Sequence, residues 1–232
     1  MYRLTAFKQS ACKFDKGFIM DYLTSLLPFM LEGTAITLKL FFLTLIMMLP
    51  FGVVLALGRL SKLKPLSVTT QFYIWVFRGT PLLLQLLFIY FGLGIIGINI
   101  DRFTAAVVAF VLNYTAYLAE VYRSGIQSID LGQFEAADVL GLSRWQTLSR
   151  IILPQMVKRV LPPISNEVIN LIKDTSLVYA IGITELLRVA KIAAVRDMLF
   201  VPFIAAAIFY LVMTAVIQQT FKWLEYRYAY YR

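Results

Sequence analysis

Histidine is absent from all 232 residues. That removes zinc sites of the HExxH kind, Ser-His-Asp triads and imidazole proton relays together. Cys12 is the single cysteine, so no disulfide can form within the chain. No G-x-x-x-x-G-K-[ST] loop occurs, so the chain has no P-loop for ATP phosphates. Charge is scarce too, at 15% of residues against roughly 25% in an ordinary soluble domain. The first 19 residues lack the apolar h-region of a signal peptide. Apolar residues fill the gap: they make up 60% of the chain, and the mean hydropathy is +0.76. A soluble fold would leave much of that surface facing water, and a disordered chain needs far more charge. An all-α membrane protein remains. At about 20 apolar residues per span, the length holds five or six spans and short loops, with no room for a soluble catalytic domain.

Charge-free runs mark the spans: Leu40–Gly58, Gly79–Ile100, Phe103–Ala119 and Met198–Phe221. Each is close to bilayer length. A fifth stretch, Val160–Ile183, is interrupted by Glu167, Lys173 and Asp174. It counts as a span if those charges face protein or water. The expected map is five helices near 30–58, 67–93, 103–125, 160–183 and 199–222. Residues 1–29 form a tail and the entry to the first span, 126–158 a loop, and 224–232 a C-terminal tail. Pro162 and Pro163 are expected to start the fourth span, where missing amide hydrogens cost little. Net charge is +9, which in a soluble protein would suggest nucleic acid. Here Lys and Arg in short loops orient the spans instead, and no nucleic-acid partner is expected. Their count favours the side of residues 126–158 and the C-terminus as cytoplasmic, by eleven to eight, or eleven to four if the chain starts at Met20. The N-terminus is then outside.

Polar residues recur inside the spans. Asn113, Tyr117 and Glu120 share one face of the third, and Glu167, Asn170 and Asp174 share a face of the fourth. Facing lipid, each charge would cost about 2.5–3.5 kcal/mol at the midplane, so they face a neighbour or a wet cavity. Pairing within the bundle, with Arg78 and Lys173 available, is one reading. A path for a zwitterionic or cationic small molecule is the other, since carboxylates hold an ammonium and Asn and Tyr supply hydrogen bonds. Gly79 and Pro81 mark a kink, either a simple bend or a hinge. The stretch Glu185–Asp197 reads as a short amphipathic helix at the outer face.

The loop is patterned as well. Phe134, Ala137, Gly141, Trp145, Leu148 and Ile152 recur at helical steps. Gly141 either breaks that helix or admits a close neighbour. From pattern alone, an amphipathic helix at the membrane interface accounts for it equally well. The stretch also contains Glu135-Ala136-Ala137, three residues, Gly141, nine residues, then Ile151-x-Leu153-Pro154. That spacing resembles the EAA loop of the membrane permeases of ABC importers. Phe77-Arg-Gly-Thr-Pro81 and Lys173-Asp-Thr-Ser-Leu177 resemble the subfamily that imports polar amino acids. The resemblance runs from about Gly33 to Trp223.

That resemblance implies a type I importer (MetI-like) fold with five transmembrane helices, multi-pass in the cytoplasmic membrane of a prokaryote. It implies no enzymatic activity and no cofactor in this chain, with ATP and magnesium on a separate ATPase dimer. Glu135, Ala136, Ala137 and Gly141 would form the surface that docks on the ATPase. Further partners would be a second permease chain, identical or paralogous, an extracytoplasmic amino-acid-binding protein, and the lipid bilayer. A stand-alone secondary transporter or channel is the rival. Against it, no internal repeat is visible, and five spans are few to enclose a path alone.

Overall fold

A computed structural model describes residues 16–228. Cys12, most of the expected N-terminal tail and the last of the C-terminal tyrosines lie outside the described residues. Helices make up the architecture: α1 (Lys16–Arg59), α2 (Lys64–Gly79), α3 (Leu82–Leu87), α4 (Arg102–Gln127), α5 (Leu131–Val139), α6 (Arg144–Thr147), α7 (Leu153–Asp174), α8 (Leu186–Asp197) and α9 (Val201–Tyr228). A π turn, Phe88–Gly92, and the short helix Leu93–Ile95 extend α3, and a 3-10 helix, Thr175–Ile181, extends α7.

Among the described residues, α1, α4 and α9 are each long and apolar enough to cross a membrane. The pair Lys64–Gly79 and Leu82–Ile95, bent by 104°, makes a fourth span if taken together. Helix α7 does not qualify, because Lys158, Arg159, Glu167, Lys173 and Asp174 dilute its apolar face. It is nevertheless packed inside the bundle, with Ile164, Val168, Leu171 and Ile172 in the main core.

Several boundaries differ from the expected ones. Helix α1 starts at Lys16 rather than near residue 30. Its early turns have something to bind: Leu26 and Met30 are buried against Leu186, Ala190, Ala193 and Ala206, and the Tyr22 hydroxyl donates to Asp197 Oδ2 at 2.7 Å. Helix α7 starts at Leu153, so Pro162 and Pro163 lie inside it rather than at its start. Each proline removes one backbone donor, but packing of the flanking Val160 and Ile164 in the core holds the helix across the gap. Helix α9 runs on to Tyr228 through the expected C-terminal tail.

The contacts set the directions. Lys39 lies over the Phe103 ring at 4.8 Å, and the face of Gly52 meets Leu118 and Tyr122, so α1 and α4 run parallel. Helix α7 runs against α4: Gly125 faces Val160, and at the other extreme the Tyr114 hydroxyl donates to Asp174 Oδ2 at 2.7 Å. The two helices approach closely at Gly125, where an added Cβ would stand 2.2 Å from Val160 Cγ1. One end of the bundle therefore carries Arg59, the C-terminus of α4 and the α5–α6 loop. The opposite end carries Asp101, which caps α4 by accepting from the Phe103 and Thr104 amides, together with α8.

Candidate functional site

The break between α2 and α3 lies halfway along α4. Thr80 and Pro81 adopt extended backbone and leave carbonyls of α2 without helical partners. Gln85 replaces them: its Nε2 donates to Phe77 O at 2.9 Å, Thr80 O at 3.1 Å and Thr80 Oγ1 at 2.7 Å. Asn113 completes the brace from α4, with Nδ2 donating to Phe77 O and to Gln85 Oε1, both at 3.0 Å. Buried polar groups need partners, and this set supplies them to one another. Asn113 is thus a support for the break, with its amide hydrogens already in use.

The broken helix opens a cavity of ≈ 370 Å³ lined by Thr80, Pro81, Asn113, Tyr117, Glu167, Asn170 and Asp174, with Leu82 and Tyr114. Five of the six polar positions anticipated from sequence therefore meet in one place. The wall is acidic. Asp174 accepts from Tyr114, while Glu167 accepts no hydrogen bond among the described residues. Neither Arg78 nor Lys173 forms an ion pair with these carboxylates: Arg78 lies over the Tyr117 ring at 5.3 Å, and Lys173 is exposed.

Glu120 stands apart from the cavity. It pairs with Arg123, whose Nε lies 2.9 Å from Glu120 Oε2. Both line a neighbouring cleft with Arg59 and Arg78, because one further turn of α4 carries position 120 toward the loop end. Gln85, Thr80 and Tyr114 were not among the anticipated residues. Gln85 had a signal, being the one polar side chain in the run Leu82–Ile89.

The loop is not one helix: α5 ends at Val139, and α6 runs on through a π turn, Leu148–Ile152, into α7. Helix α5 ends in a turn at Gly141, where φ is +68°, a conformation that disfavours a Cβ. Ser143 then opens α6 with a capping box, its side chain and that of Gln146 satisfying each other's backbone amides. Glu135, Ala136 and Gly141 are exposed, but Ala137 is fully buried and packs toward the chain itself. Trp145, expected on the apolar face, is 72% exposed, beside Val139 at 88% and Leu140 at 73%. The Gly141 turn rotates α6 away from the line of α5.

Residues 48–230 match the family model described as the binding-protein-dependent transport system inner membrane component. The chain belongs to this family. It is 42% identical over 193 residues to the arginine transport system permease protein ArtQ of Bacillus subtilis, covering 82% of this chain and 88% of that one. It is 39% identical over 212 residues to GlnP of Rickettsia conorii, named for glutamine transport, covering 89% and 97%. Among solved structures, a crystal structure of an amino acid ABC transporter with histidines superposes with a TM-score of 0.83 at 40% identity, over 89% of this chain and 97% of that one. The permease has the all-helical type I importer fold and is a transport subunit, not an enzyme.

Proposed function

We propose that this permease is the membrane-spanning subunit of an ATP-driven importer of a polar amino acid. The acidic cavity at the broken helix carries the reading. Two carboxylates that form no close ion pair among the described residues, ringed by amides and a phenol, suit a molecule that brings an ammonium group. Contacts of this kind are few enough to let it leave again. The relatives named for arginine and glutamine transport support a polar amino acid as the cargo.

The path runs through Asn113, Tyr117, Glu167, Asn170 and Asp174, with Gly79 and Pro81 as the hinge of its wall and Glu120 in the cleft beyond. ATP and magnesium belong to a separate ATPase dimer, which seats on Glu135, Ala136 and Gly141, with Ala137 holding that surface to the bundle. The loop end faces the cytoplasm, α7 makes a fifth span, and a second permease chain closes the path. A binding protein outside the membrane delivers the amino acid.

Reconstituted vesicles test the whole reading. Uptake should require ATP, the ATPase subunit and the binding protein together. Proton-driven uptake by this chain alone would replace the importer with a secondary transporter.

A further inference from the structure

Two arginines converge at the end opposite the loop. The 3-10 helix after α7 closes at Gly182, with φ +85°. A Cβ built there would stand 3.1 Å from Arg102 Nη1 and 3.2 Å from Arg188 Nη1. Two guanidinium groups thus face one small space that the glycine keeps open. Neither forms an ion pair among the described residues, although the buried Glu185 is near enough to attract Arg188. Arg102 Nε donates to the Tyr90 hydroxyl at 3.2 Å, a neutral acceptor. Arg188 Nη1 is buried and has no hydrogen-bond partner among the described residues. Glu185 is buried close by in sequence, but its oxygens already accept from the Leu187 and Arg188 amides at 2.7 and 2.8 Å and from the Tyr210 hydroxyl at 3.1 Å. Like charges brought together around an unpaired buried donor call for an anion. Two planar forks match a carboxylate.

The position ties this pair to the path. Arg102 and the cavity residue Asn113 lie on the same helix, α4, about 16 Å apart by helical rise. The 3-10 helix carries the chain from the cavity residue Asp174 to Gly182, again about 16 Å. Two of the walls of the cavity therefore continue outward to the same two arginines. That distance is too long for one amino acid to span, so the arginines form a separate station. Resting on the importer reading, we propose that Arg102 and Arg188 clamp the α-carboxylate of the incoming amino acid at the outer mouth, before its ammonium reaches Glu167 and Asp174.

The test uses the complete importer in vesicles, with Arg102→Gln, Arg188→Gln and the corresponding lysine variants. Two quantities are read: the rate of amino-acid uptake, and the binding-protein concentration that half-maximally stimulates ATP hydrolysis. The clamp predicts an uptake loss of about tenfold for each glutamine variant, as for a lost charge-assisted pair. The half-maximal concentration should not move, and lysine should restore part of the uptake. Arg102 is exposed in the first turn of α4, so Arg102→Gln decides the matter if Arg188→Gln fails to assemble. Uptake within twofold of wild type overturns the clamp. So does a loss that excess binding protein repairs, which would put the carboxylate on the delivering protein. A wild type without ATP-dependent uptake refutes the importer reading and the clamp with it, whereas failure of the clamp alone leaves wild-type uptake intact.

Discussion

Two segments outside the long helices have similar composition and opposite fates. The α5–α6 loop and α8 are both short and helical. Helix α8 turns Leu186, Ala190 and Ala193 into a core shared with α1 and α9, and a buried carboxylate, Glu185, caps it. The α5–α6 loop leaves Leu131, Val139, Leu140 and Trp145 exposed around a left-handed glycine turn. Exposed apolar residues clustered on a well-capped scaffold are costly unless something covers them. One segment is a structural part of the bundle, and the other presents a surface.

Substitutions can break that contrast. The largest effect is expected for Gly141→Asp. The turn needs φ +68°, which costs an L-residue about 1–2 kcal/mol, and a charge is added to the presented surface. Transport should be abolished while membrane insertion persists, measured by vesicle uptake beside a membrane-fraction blot. A mutant that transports normally would remove the loop from coupling. Next, Leu186→Ala should destabilise the permease by about 2–5 kcal/mol, because the side chain is fully buried. Leu140→Ala should change stability by no more than about 0.5 kcal/mol yet weaken ATPase association. Thermal unfolding and co-purification distinguish the two. Equal unfolding shifts would erase the contrast.

Gln85→Leu tests the brace. It leaves the Thr80 carbonyl and one Asn113 donor without their partner, with only Asn113 still bonded to the Phe77 carbonyl, at about 1–3 kcal/mol, and should slow uptake by loosening the cavity wall. The smallest effect is expected at the end of α8. There Arg196 and the Tyr22 hydroxyl hold the Asp197 carboxyl down to about 2. Because the folded value lies below the unperturbed 3.8, the pair contributes fully above that pH. It is lost only as pH falls through about 2. Asp197→Asn should therefore shift the melting temperature equally at pH 5 and pH 8, and a shift confined to one of them would contradict this pairing.

The sequence made some of these features readable and hid others for physical reasons. Long charge-free runs exposed α4 and α9, because lipid tolerates few charges. Gly79 and Pro81 marked the break, and the helical spacing of Glu167, Asn170 and Asp174 placed three residues of the cavity on one face. The start of α1 was hidden: Tyr22, Leu26 and Met30 become helical through partners in α8 and α9, about 150 residues or more away in sequence. Helix α7 was hard to delimit because charged residues interrupt its apolar run, and two of them, Glu167 and Asp174, line the cavity. Asn113 lines the cavity, as its spacing implied, but its second role as a brace could not be read, since nothing local announces Gln85 as its partner. The convergence of Arg102 and Arg188 over Gly182 depends on three separate segments and has no short-range signature.

The crossing of α4 and α7 at Gly125 has a mechanical corollary. Where two rods touch closely, they pivot. Val160 sits at that contact, and Asp174 lies about 21 Å along the same rod. Each degree of tilt about the fulcrum displaces Asp174 by about 0.4 Å. Under the proposed function, a tilt of a few degrees applied at the loop end would be enough to part Asp174 from Tyr114 and widen the chamber.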